Sequence, residues 1–232
     1  MGSGPPILFL HSHFSRGILA FGAQMQPFQA KYCCLFPDFR GHGRTTCESL
    51  QWDSRQIADD MADFLDAMDI PSVHLFGYSC GTTVGMYMAA KYPDKVRSLI
   101  AVGAGVRPVP EESEDYLPQR IAGRNDTKMI QDMTLRHLDA HRGSWKAFME
   151  QTVLDWRTHP NLTAEEWQSL KCPIFFINGE SDPFGPCAEL RQMCPHAKTF
   201  EVKDSGHRPH IVMEQAKEVN ARILDFLDEI GS

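Results

Sequence analysis

The chain has 232 residues, 42% of them hydrophobic and 23% charged, with a formal net charge of -7 at pH 7. That length and composition suit one good-sized globular domain, and the acidic balance argues against a nucleic-acid binder, which would present a basic face. No apolar stretch approaches the roughly 18 residues that read as a membrane span. The start, Met1 to Pro6, lacks the basic and apolar pattern of a secretory signal. The seven cysteines show no paired CxxC spacing, so structural zinc is not expected. Free thiols and a cytoplasmic location are expected.

In chain order, the apolar run 7–10 reads as a buried strand, and the run 32–36 as another. Ile57, Met61, Phe64, Leu65 and Met68 then recur at helical spacing and describe an amphipathic helix. The run 73–76 is a third strand, followed by a helical stretch from near Thr82 to Tyr92 that Pro93 stops. Runs at 98–102, 174–177 and 199–202 complete the strands. A last helix over 216–230 carries Val219, Ile223, Phe226, Leu227 and Ile230 on one face. Strands alternating with helices imply a parallel sheet covered on both faces.

Residues 107–170 break that rhythm. They open with Arg107-Pro108-Val109-Pro110 and an acidic run from Glu111 to Asp115, read as solvated surface. The pattern then turns helical over 128–141, 145–156 and 163–170. The expected organisation is an α/β core of residues 1–106 and 171–232, with 107–170 inserted as a helical cap over the active edge.

Gly77-Tyr78-Ser79-Cys80-Gly81 matches G-x-S-x-G, and it falls between a strand and a helix. That is the context of a nucleophile elbow, a sharp turn that lifts a serine hydroxyl clear of the sheet edge. The flanking glycines let strand and helix approach closely. The helix behind the serine directs N–H groups and a positive dipole end at developing charge.

With Leu8-Phe9-Leu10-His11, Pro37-Asp38-Phe39-Arg40-Gly41-His42-Gly43, this elbow, Asn178-Gly179-Glu180-Ser181-Asp182 and Gly206-His207 in order, the chain resembles the α/β-hydrolase superfamily, specifically its small capped esterase-like group. The likeness runs from about Pro5 to Ile230. It implies Ser79 as nucleophile, His207 as base and Asp182 as the acid that orients it, with no metal or organic cofactor. His210 is a competitor for the base, and Glu180 and Asp204 for the acid; family position favours His207 and Asp182. The resemblance also implies an oxyanion hole from the backbone N–H groups of Cys80 and His13. Here the chain departs from the family, because Ser12 stands where a glycine is usual. The Cys80 thiol is read as a small buried side chain, and Asp38 and Arg40 as hydrogen-bonded in place.

The reaction implied is hydrolysis of a small carboxylic ester through an acyl-enzyme. Lactonase, amidase, aminopeptidase and C–C bond hydrolase chemistry can run on the same triad, and a cofactor-free haloperoxidase-like side activity is compatible with it. A receptor that kept the hydrolase pocket is the reading from another class. Epoxide hydrolases and haloalkane dehalogenases normally carry Asp at the position of Ser79. Ser12, Tyr78, Trp145 and Phe148 are candidate substrate contacts. Family members usually have two further strands before the one ending at His11, so 32–36 becomes an uncharged edge. Such an edge needs covering, by the N-terminal residues or by a second subunit in a homodimer.

Overall fold

The computed structural model describes residues 1–207 and 212–231. The strands are β1 (Pro6–Leu10), β2 (Cys33–Leu35), β3 (Val73–Tyr78), β4 (Val96–Val102), β5 (Ile174–Gly179) and β6 (Lys198–Val202). The helices are α1 (Gly17–Ala20), α2 (Gly22–Gln29), α3 (Ser54–Ala67), α4 (Cys80–Lys91), α5 (Pro110–Ser113), α6 (Pro118–Gly123), α7 (Thr127–Arg136), α8 (Leu138–His141), α9 (Trp145–Thr158), α10 (Ala164–Ser169), α11 (Cys187–Met193) and α12 (Ala216–Glu229). No helix among the described residues is long and apolar enough to cross a membrane.

The strands form one parallel sheet in the order β2-β1-β3-β4-β5-β6. Every residue of β3 and β5 is buried, which explains why neither shows the apolar–polar alternation of a half-exposed strand. The two faces nonetheless separate with a period of two. Leu8, Leu10, Leu75 and Leu99 face α3 and α4 through Ile57, Met61, Val84 and Met88. Ile7, Phe9, Phe76 and Ile100 pack with Phe21, Phe28, Val219, Ile223 and Phe226 on the opposite face. The chain turns outward to β2 and then back across β1 to β3, so the strand order reverses between β1 and β3. Ligands of open α/β sheets bind beyond the carboxyl ends of the strands at such a reversal.

Several elements depart from the sequence reading for identifiable reasons. The helix expected over 128–141 is broken at His137, whose ring accepts the Gly43 N–H at 3.1 Å and stacks on Phe148. Helix α2 was not legible because it contains Pro27 and buries Gln24, which bonds Val212 O and Asn220. Helix α4 begins immediately after Ser79, earlier than the periodicity suggests. The edge strand β2 spans only Cys33–Leu35, and the Cys34 N–H donates to Met1 O at 2.7 Å. Of the two covers expected for this edge, the structure places the N-terminal residues there.

Candidate active site

The site is assembled from turns at the carboxyl ends of five strands, β1, β3, β4, β5 and β6. Directly after β3, Ser79 sits in the left-handed region with φ 57°. Its neighbours decide whether that turn can form. A Cβ on Gly81 would stand 1.9 Å from Leu10 O, and one on Gly77 would stand 2.5 Å from Gly81 O. Both glycines are therefore required by backbone contact between β1, β3 and α4. Gly81→Ala is expected to cost about 3 kcal/mol through backbone displacement, lowering the melting temperature by roughly 6–12 °C in a thermal denaturation scan.

The three side chains of the proposed relay meet. His207 Nε2 lies 2.9 Å from Ser79 Oγ, and its Nδ1 lies 3.0 Å from Asp182 Oδ2. The other carboxylate oxygen of Asp182 accepts the Phe184 N–H at 2.9 Å, so the carboxylate is fixed at both ends. Tyr78 donates its hydroxyl hydrogen to His207 O at 2.7 Å and stacks on the imidazole. Phe184 packs edge-on against the same ring. Gly103, at φ +70°, provides the remaining space, since a Cβ there would lie 2.7 Å from His207 Cε1. The ring is thus held from every side in the orientation that points Nε2 at the hydroxyl. Such an arrangement can take a proton from serine as it attacks and return it to a leaving group.

Ser79 occupies the N-cap position of α4 without using its side chain as a cap. The cap is replaced by the Ser79 carbonyl, which accepts from Thr82 N and Thr82 Oγ1 at 2.8 and 2.7 Å. The hydroxyl is thereby left to His207. Cys80 opens the helix, buried, with its thiol towards His11 O at 3.5 Å.

The loop after β1 lies opposite. Ser12, His13 and Phe14 line one cavity with Tyr78, Ser79 and His207. A turn closed by Ser15 N–H to Ser12 O at 3.0 Å shapes it. Ser12 does not fall in the positive-φ region, so this turn does not need the glycine that the family pattern supplies. Burial pushes His11 down to about 4, which keeps it neutral. Its Nδ1 then donates to Ser12 O at 2.9 Å while its Nε2 accepts the Phe39 N–H at 3.0 Å, bracing the loop from below.

A sequence profile of the Alpha/beta hydrolase family matches residues 7–222. The chain belongs to this family. It is similar to serine hydrolase BPHL of Mus musculus, at 25% identity over 97% of this chain and 77% of the relative. It is also similar to 3-oxoadipate enol-lactonase 2 of Acinetobacter baylyi, at 21% identity over 91% of this chain and 85% of the relative. Among solved structures, a thermophilic esterase from Thermogutta terrifontis superimposes with a TM-score of 0.75, at 23% identity, covering all of this chain and 92% of that one.

Two candidate substrate contacts lie away from the cavities at Ser79. Phe148 is fully buried, stacked on His137 and edge-on to His42. Trp145 packs half-buried against the same cluster. Neither lines the cavities at Ser79, because the inner face of α9 is used to seat that helix on the core. Trp156 of α9 does reach the hydrolase's site and is common to two cavities that both touch Ser79 and His207. The first, of about 500 Å³, adds Phe14, Leu19, Met129, Met133 and Met213. The second, of about 770 Å³, adds Val109, Tyr116, Pro183 and Phe184. Trp156 shared the apolar periodicity of its helix with Phe148 and Met149, so nothing in the sequence separated lining from packing.

Of the competitors, Glu180 is exposed and accepts the Asp204 N–H at 3.0 Å, while Asp204 is exposed as well. His210 lies outside the described residues. Asp38 accepts the Arg44 N–H at 3.0 Å, and Arg40 forms a bidentate pair with Asp60. Both thus brace the loop after β2.

Proposed function

We propose that this hydrolase cleaves carboxylic esters by acyl transfer to water, with Ser79, His207 and Asp182 as the catalytic triad. The observation that carries the reading is the unbroken hydrogen-bonded line from Asp182 Oδ2 through both nitrogens of His207 to Ser79 Oγ. In the first half-reaction Ser79 attacks the ester carbonyl as His207 takes its proton. The backbone N–H groups of Cys80 and His13 receive the oxyanion, aided by the N-terminal end of α4. His207 then protonates the departing alcohol, and water repeats the sequence on the acyl-enzyme. No step calls for a metal or organic cofactor.

The two cavities favour an open ester. Both touch Ser79 and His207 and share Trp156 in their walls, and in this reading they give the acyl and alcohol portions separate places. A lactone, whose alcohol stays tethered to its acyl group, needs only one. The names of the relatives, a serine hydrolase and an enol-lactonase, keep both in the assay. Helices α5–α10 form the cap in this reading, and their residues set the chain-length preference.

The test is a panel of p-nitrophenyl esters of rising acyl length with a lactone and an amide included, run beside a fluorophosphonate probe. Expected are multiple turnovers on the shorter esters and a mass increase located on Ser79. A label elsewhere, or a single turnover followed by arrest as a receptor would show, overturns the assignment. Trp156→Ala is expected to join the two cavities. It should raise kcat/KM for longer acyl chains relative to shorter ones by roughly fourfold per methylene that gains room, from ~0.8 kcal/mol per buried CH₂.

A further inference from the structure

Beneath the loop after β1 lies a buried run of polar groups that the triad does not use. His13 is 1% exposed, with Nε2 2.9 Å from Asp155 Oδ2 and Nδ1 3.1 Å from His42 Nε2. Asp155, on α9, is equally inaccessible and accepts the Ser54 N–H at 2.7 Å and the Ser54 hydroxyl at 2.8 Å. Burial works against its charged form, but the hydrogen bond and charge of His13, with His159 and Ser54, outweigh it and hold Asp155 below the usual carboxylate range.

The proton count on this chain of contacts does not close with neutral rings. A carboxylate has no hydrogen to give, so His13 Nε2 must carry one. His42 Nδ1 lies 2.9 Å from Arg40 O, another pure acceptor, so that nitrogen carries a hydrogen too. A neutral imidazole has a single N–H. With both rings neutral, His13 Nδ1 and His42 Nε2 would face each other as two bare lone pairs, buried and unbonded, which is costly. One further proton turns the contact into a hydrogen bond. His42 is the poorer host. Burial, with His13, His11 and His137 around it, drives it well below the ordinary imidazole range.

We infer that His13 is held as an imidazolium between Asp155 and His42, and that Asp155 is thereby a positioning residue for the oxyanion loop. The second half rests on the reading of that loop given above. Its consequence is a coupling between cap and core. Asp155 immediately precedes Trp156, which lines both cavities, and Arg136 of α7 donates to Phe14 O at 2.7 Å in the same loop. Seating the cap helices and setting the N–H of residue 13 are then one event.

The experiment uses the whole protein labelled with ¹⁵N-histidine. Long-range ¹H–¹⁵N correlation at neutral pH is expected to show one buried ring with both nitrogens protonated, assigned to residue 13 by its loss in His13→Gln. In Asp155→Asn that signature should disappear. Its kcat should fall at least about tenfold with KM changed less than about threefold, the mark of an interaction used in the transition state. If every buried imidazole of the wild-type protein carries a single ring proton, the imidazolium is wrong; this result needs no variant to fold. If Asp155→Asn folds with kcat unchanged, the positioning role is wrong. Neither result depends on the triad assignment, which stands or falls with Ser79.

Discussion

Replacing Ser79 with alanine is expected to lower kcat on a p-nitrophenyl ester by about 10⁴- to 10⁶-fold while leaving the fold intact. The backbone of Ser79, and not its hydroxyl, carries the structural bonds. Its N–H donates to Val102 O at 2.9 Å, and its carbonyl accepts from Thr82. The hydroxyl meets His207. Alanine at φ 57° bears the same steric cost that serine already does, so the turn should survive. On the proposed mechanism, what remains active is the oxyanion hole and substrate binding, which act without a nucleophile. Steady-state turnover checks the first half of this expectation and a melting curve the second. Turnover within about tenfold of wild type would mean that another group attacks.

Asp182→Asn should cost about 10⁴ in kcat, by analogy with what loss of the orienting carboxylate does in such triads, and the reason can be read from its two partners. Asp182 Oδ1 accepts the Phe184 N–H, and Oδ2 accepts from His207 Nδ1. An asparagine must keep its oxygen on the Phe184 side, because an NH₂ there would meet another donor. Its NH₂ then faces His207 Nδ1. That forces the imidazole proton onto Nε2, where it points at Ser79 Oγ and can accept nothing. The effect should fall on kcat with KM little changed, and fluorophosphonate labelling of Ser79 should slow in parallel. An unchanged labelling rate would show that Asp182 does not set the tautomer.

Much of this protein is fixed by local chemistry and so was legible before any coordinates. The runs around Leu8, Leu75, Ile100 and Phe176 read as buried strands from their shortness and alternation with helical patterns, and glycines at 77 and 81 around Ser79 announce a close strand-to-helix turn. Motif order named the residues of the proposed triad, although only the fold brings residues 79, 182 and 207 together. Other features carry no local signal. Phe148 and Trp156 have the same apolar character on one helix, and only the crossing of α9 over the core sends one into packing and the other into the site. The break at His137 is set by a hydrogen bond to Gly43, 94 residues away. Nor does anything around residue 155 reveal that an aspartate in an otherwise ordinary helix will be buried against His13, 142 residues distant. Periodicity reports which face of an element is apolar. What that face meets, and where a buried charge finds its partner, is decided by long-range packing that sequence spacing does not encode.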